Sequence, residues 1–113
     1  MKKLIVLIVL FVSVKNYSQE YTLLHINSSW NSKNDYKDLN KLKGVRIVKA
    51  FYEDQNQTIK SQIKSLPVIF IYKDRHLIGR WDAGISMQIK NSYIELQGVI
   101  DDSKSLRRAT STE

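Results

Sequence analysis

Cysteine is absent from the chain, and histidine and proline nearly so: His25, His76 and Pro67 are all there is of either. Without a thiol there is no disulfide framework, no cysteine-ligated metal and no sulfur nucleophile. Two histidines distant in sequence, with no clustered carboxylates around them, give no zinc-ligand spacing. The four glycines form no phosphate-cradling array. No nucleophile–base pair or paired-carboxylate pattern stands out, and Asp35, Asp38 and Asp54 read as cap and turn residues. The residues therefore imply no cofactor and no metal. Repeats at solenoid or propeller periods are missing as well.

A strong charge of one sign is also missing from the body of the chain. The formal net charge is +7, but residues 1–18 carry Lys2, Lys3 and Lys15 and no acid. Setting them aside leaves 15 Lys+Arg against 11 Asp+Glu, and part of that excess is Lys104, Arg107 and Arg108 near the end. Arg46, Lys49, Lys60, Lys64, Arg75 and Arg80 are dispersed among acids rather than gathered into a stripe. Nucleic-acid recognition requires such a stripe, so an ordinary solvated surface is the better reading.

What the chain does have begins at its first residues. Met1-Lys2-Lys3 precedes eleven residues, 4–14, in which only Ser13 interrupts an apolar run. A charged start, a short apolar stretch and a polar Asn16-Tyr17-Ser18-Gln19 segment make the pattern of a secretory signal peptide over residues 1–18. A helix of eleven residues is about 16 Å long, roughly half of a bilayer's hydrocarbon core, so no stable membrane span is expected. An uncleaved N-terminal anchor is the alternative. The signal-peptide reading implies a periplasmic or secreted protein; without it the chain would be cytoplasmic.

The remainder divides into one domain over residues 19–101 and a polar tail, 102–113, expected to be flexible. Residues 21–27 read as a strand, and 30–42 as a short amphipathic helix with Tyr36, Leu39 and Leu42 on one side. Gly44 stops it. Residues 45–52 form a second strand, 58–64 a short helix and 68–72 a central strand with apolar residues on both faces. Lys73-Asp74-Arg75 turns the chain into a fourth strand at 76–82. Residues 85–100 read as the longest helix, with Ile85, Ile89, Tyr93, Leu96 and Ile100 near one stripe. The fold class is therefore α/β, in the order β-α-β-α-β-β-α, with a mixed four-stranded sheet flanked by helices.

Within that order, residues 24–34 run Leu-His-Ile-Asn-Ser-Ser-Trp-Asn-Ser-Lys-Asn, an apolar strand leading into Trp30. Asp54-Gln55-Asn56 follows the second strand, Leu66-Pro67 opens the third, and Ala83-Gly84 ends the fourth. Taken together these elements resemble the thioredoxin-like superfamily in its minimal form, over about residues 20–100. Aligned on that family, Trp30 matches the active-site tryptophan, and Asn31 and Asn34 stand in the places of the two cysteines. Ser32 and Lys33 replace glycine and proline, and the interval from Asn31 to Pro67 is shorter than usual.

The resemblance implies a thioredoxin fold without redox chemistry, since exchange requires an attacking thiolate and a mixed disulfide. An asparagine amide can cap a helix but cannot attack sulfur. His25 falls where the family often keeps a buried acid; with no thiol to serve, it reads as a strand histidine with one ring nitrogen hydrogen-bonded. His76, at the hairpin, is expected to be exposed. A lone X–Pro at a strand start is ordinarily trans, whereas the resemblance implies a cis bond at Leu66–Pro67. It also implies a peptide-binding face made of Trp30, Asn31, Ser32, Lys33, Asn34, Leu66 and Pro67, using the strand-addition mode. For Trp30 itself, a binding surface and a residue folded over the sheet edge are equally open; Trp81 reads as core or edge packing. The partner would be a protein or an extended peptide. Two other readings fit the same residues: a structural subunit of a larger assembly, and a cytoplasmic non-redox accessory factor of a nucleic-acid enzyme.

Overall fold

The computed structural model describes residues 20–111. The apolar segment at 4–14 and the signal-peptide reading of residues 1–18 lie outside the described residues.

Among the described residues four strands are formed: β1 (Tyr21–Asn27), β2 (Arg46–Phe51), β3 (Val68–Lys73) and β4 (His76–Asp82). They build one mixed sheet in the spatial order β2-β1-β3-β4. β1 runs parallel to β2 and antiparallel to β3, and β3 pairs antiparallel with β4. The parallel pair follows from the long connection between β1 and β2, and the antiparallel hairpin from the two-residue turn at Asp74 and Arg75. Two α-helices flank the sheet, α1 (Gln57–Ser61) and α2 (Tyr93–Ser111). The α/β class with a mixed four-stranded sheet flanked by helices is therefore what the chain adopts.

Alternation along the strands sends side chains to two separate cores. On one face Tyr21, Leu23, Ile69, Ile71 and Trp81 pack with Tyr36, Leu39, Leu42 and Ile89 and with Leu96 and Ile100 of α2. On the other, Leu24, Ile26, Val68 and Phe70 meet Ile63, with Ile59 and Leu66 alongside. All seven residues of β1 are buried. Leu23, Ile69, Ile71, Leu96 and Ile100 are fully removed from solvent, each stabilising the fold by about 1.5–3 kcal/mol. A glycine is required at position 79, where a Cβ would come within 2.6 Å of the Trp81 ring.

The helix expected over 30–42 does not form. Two 3-10 turns replace it, Ser29–Asn34 and Leu39–Lys41, the first distorted at Asn31. Side chains from β1 take the backbone groups that a helical ladder would have used. The Asn27 amide donates to the Asn31 carbonyl at 2.9 Å, and the Tyr36 N–H donates to Nε2 of His25 at 3.1 Å. Tyr36, Leu39 and Leu42 are still buried, so their spacing reported burial rather than a helix.

The last helix is displaced at both ends. It begins at Tyr93 rather than at residue 85, because Gly84 and Met87 both adopt positive φ and turn the chain first. Ser92 supplies the cap, its Oγ accepting from the Ile94 N–H at 3.1 Å and its carbonyl from the Glu95 N–H at 3.0 Å. At the far end α2 continues to Ser111, so residues 102–111, expected to be a flexible tail, are helical. The first of these residues are fastened: the Ser103 and Tyr21 hydroxyls lie 3.0 Å apart, and the Lys104 ammonium sits 5.2 Å from the Tyr21 ring centre.

Candidate functional site

The C-terminal ends of β1 and β4 and the N-terminal end of β3 meet at one end of the sheet. The loops leaving these ends enclose a groove of about 620 Å³. Ser28 and Trp30 line it from the β1 side, and Tyr52 from the end of β2. Ile63, Lys64, Ser65 and Leu66 come from the segment entering β3, and Gly84, Ile85 and Met87 from the turn after β4. Its walls are largely apolar, yet three of the apolar residues face water. Trp30 is 66% exposed, Ile85 101% and Met87 44%. Trp30 is thus not folded over the sheet edge. Three large apolar side chains thus stand exposed around one concavity.

The Leu66–Pro67 peptide bond beside the groove is cis. Pro67 is fully buried, and its carbonyl accepts from the Ala83 N–H at 3.1 Å. The Gly84 N–H donates to Ser65 Oγ at 2.9 Å. These two bonds tie the groove's wall from the β3 side to its wall from the β4 side. The Leu66 N–H donates to no group among the described residues.

Beneath Trp30 lies a polar network. Asn31 is only 2% exposed. Its Nδ2 donates to Asn27 Oδ1 at 3.1 Å and reaches the Leu66 carbonyl at 3.4 Å, while its Oδ1 accepts from Asn34 Nδ2 at 2.7 Å. Asn27 in turn donates to Asp35 Oδ1 at 2.7 Å, and Lys49 pairs with the other oxygen of Asp35 at 3.2 Å. The hydrogen bonds from Asn27 and Lys49 hold the Asp35 carboxyl below its ordinary range despite its partial desolvation. His25, 1% exposed, has its pKa lowered, chiefly by burial and further by Lys49, with Asp35 opposing. The Tyr36 N–H bond to Nε2 requires that nitrogen to be unprotonated, consistent with a neutral ring.

Glu53 secures the start of the Trp30 turn from the other side. Its Oε2 accepts from Ser29 Oγ at 2.7 Å and from the Ser29 N–H at 3.1 Å. These bonds lower its pKa to about 2, so the carboxylate is charged across the neutral range.

The residues singled out in the sequence do not form one surface. Trp30 and Leu66 line the groove. Asn31 and Pro67 are buried and act as supports: the Asn31 amide is held by Asn27, Asn34 and the Leu66 carbonyl, and the Pro67 carbonyl by the Ala83 N–H. Ser32 is exposed outside the groove, and Lys33 and Asn34 border a separate polar hollow of about 470 Å³ with Asp35, Tyr36 and Gln88. Sequence reasoning missed Tyr52, Ile63, Lys64, Ile85 and Met87. Ile85 had been placed on a helix stripe, and only the positive φ of Gly84 and Met87 turns it into the groove wall.

No family model matches the chain, and no curated relative does. Among solved structures it is similar to a thioredoxin-2, described as a component of the protein secretion machinery of the malaria parasite. The two share 19% sequence identity with a TM-score of 0.54, over 76% of this chain and 85% of that one. Identity at this level speaks to architecture alone: the chain has a thioredoxin-like fold. With no cysteine anywhere in the sequence, the thiol–disulfide exchange associated with that fold has no nucleophile here. Among the described residues no three His, Asp or Glu side chains are grouped to hold a metal ion, and no helix is long and apolar enough to cross a membrane.

Proposed function

We propose that the chain is an exported, redox-inactive thioredoxin-like domain that binds an extended segment of a protein or peptide. The observation that carries the reading is the groove, where Trp30, Ile85 and Met87 stand exposed around the half-buried Leu66. An incoming strand has two things to use there: apolar pockets for its side chains and the unengaged Leu66 N–H for one of its carbonyls. Pairing of this kind needs no sulfur. Export is supported by Lys2 and Lys3 ahead of the apolar run at 4–14.

Trp30→Ala removes the largest exposed surface of the groove without touching either core. Peptide affinity is expected to drop by about tenfold or more, as at an interface hot spot, while the thermal midpoint stays within a degree or two of the parent. Unchanged affinity would show that the surface is wrongly placed. For export, fractionation of expressing cells with N-terminal sequencing is expected to find a mature chain beginning near Gln19; cytoplasmic protein retaining Met1 would overturn that part.

A further inference from the structure

The groove has a charge asymmetry. Its walls carry one charged side chain, Lys64, which is exposed and has no carboxylate partner among the described residues. Four residues earlier, within α1, the Lys60 ammonium lies 5.5 Å from the ring centre of Tyr52, which itself lines the groove. This lysine too has no ion-pair partner among the described residues. Glu53 holds Ser29, and Asp82 accepts from Arg80 at 2.9 and 3.1 Å, while the exposed Asp54 does not line the groove. An apolar groove therefore has one cation on its wall, Lys64, a second, Lys60, against the ring of the lining Tyr52, and no acid among its lining residues.

Resting on the peptide-binding reading above, we propose that the groove selects acidic ligands. Its occupant is an extended peptide with a bulky apolar residue that settles among Trp30, Leu66, Ile85 and Met87. An Asp or Glu one or two positions away meets Lys64 and Lys60. Apolar contact provides most of the affinity, and the lysines provide the choice between sequences.

Two acetylated hexapeptides test this, Ser-Leu-Phe-Asp-Glu-Gly and Ser-Leu-Phe-Lys-Lys-Gly, titrated into the full chain by calorimetry. At low ionic strength the acidic peptide should bind about fivefold or more tighter, the size expected for two partly exposed ion pairs. The preference should fade in about 0.5 M salt. Lys64→Glu, at an exposed position outside both cores, should invert it. Equal affinities at low salt, or a preference for the basic peptide, would overturn acidic selection and leave the groove itself standing. Failure of both peptides to bind would overturn the selection and the peptide-binding reading together.

Discussion

Replacing Asn31 with alanine tests whether its buried amide pins the turn that carries Trp30. The side chain is buried and makes three contacts of unequal worth. The 3.4 Å approach to the Leu66 carbonyl is long and contributes little. The bond to Asn27 is the important one, because Asn27 is itself 3% exposed and its Oδ1 would be left without a donor. An orphaned buried acceptor costs about 1–3 kcal/mol. The bond from Asn34 adds about 0.5–1.5 kcal/mol at most, since Asn34 is half-buried and water can replace its partner. Asn31→Ala should therefore cost about 2–4 kcal/mol, and Asn34→Ala, which leaves the buried Asn31 Oδ1 without its donor, about 1–3 kcal/mol. With a urea slope of about 1–3 kcal/mol per molar for a small domain, the unfolding midpoint should fall by about 1–2 M in the first variant. The double variant should cost less than the two singles together, because they share a bond. A loss under about 0.5 kcal/mol for Asn31→Ala would refute the assignment of Asn31 as a structural pin.

Burial lowers the pKa of His25 below its ordinary 6.5, so the unfolded chain takes up the proton first. Urea midpoints should be level above about pH 6.5 and decline below it, by up to about 1.4 kcal/mol per pH unit, and His25→Gln should flatten the slope. A midpoint that does not move between about pH 7 and 5 would refute this. Gly79→Ala would push a methyl group into the Trp81 ring and should cost about 1–3 kcal/mol, read as a lower thermal midpoint. Asn56 caps α1, its Oδ1 accepting from the Ile59 N–H at 2.9 Å, while its Nδ2 is buried without a partner among the described residues. Asn56→Ala therefore loses a cap but also removes an unsatisfied donor, and should cost only about 0.5–1 kcal/mol.

The strands were legible in the sequence because β-branched and aromatic residues cluster there, and the mixed character of the sheet followed from their alternation with connecting segments, whereas the order β2-β1-β3-β4 did not. Segment type was less legible where polar side chains compete with the backbone. Asn27 and His25 sit inside a strand, yet they decide the conformation of residues 29–36, a long-range effect no local pattern carries. The start of α2 was misplaced for a related reason. Ile85 and Ile89 kept helical spacing with Tyr93, but Ile89 is buried in a core and Ile85 faces water, so the apparent stripe joined residues with different destinations. At the groove, Trp30 and Leu66 were found through the order of elements. Tyr52, Ile63 and Met87 carry no signature of their own and become neighbours only when the sheet brings four separate loops together.

The position of β1 at the centre of the sheet bears on the timing of folding. Tyr21 pairs with Lys73 and Ile26 with Val68, so β1 awaits an antiparallel partner more than forty residues later in the chain. Closing that contact requires a long loop, which slows folding relative to structures built from neighbouring segments. Amide exchange should be slowest in β1 and β3 together, as one cooperative unit, because neither is flanked on both sides without the other. A ribosome-bound chain that has not yet emerged through residue 73 thus has no finished sheet to protect, and β1 stays open to chaperones until then.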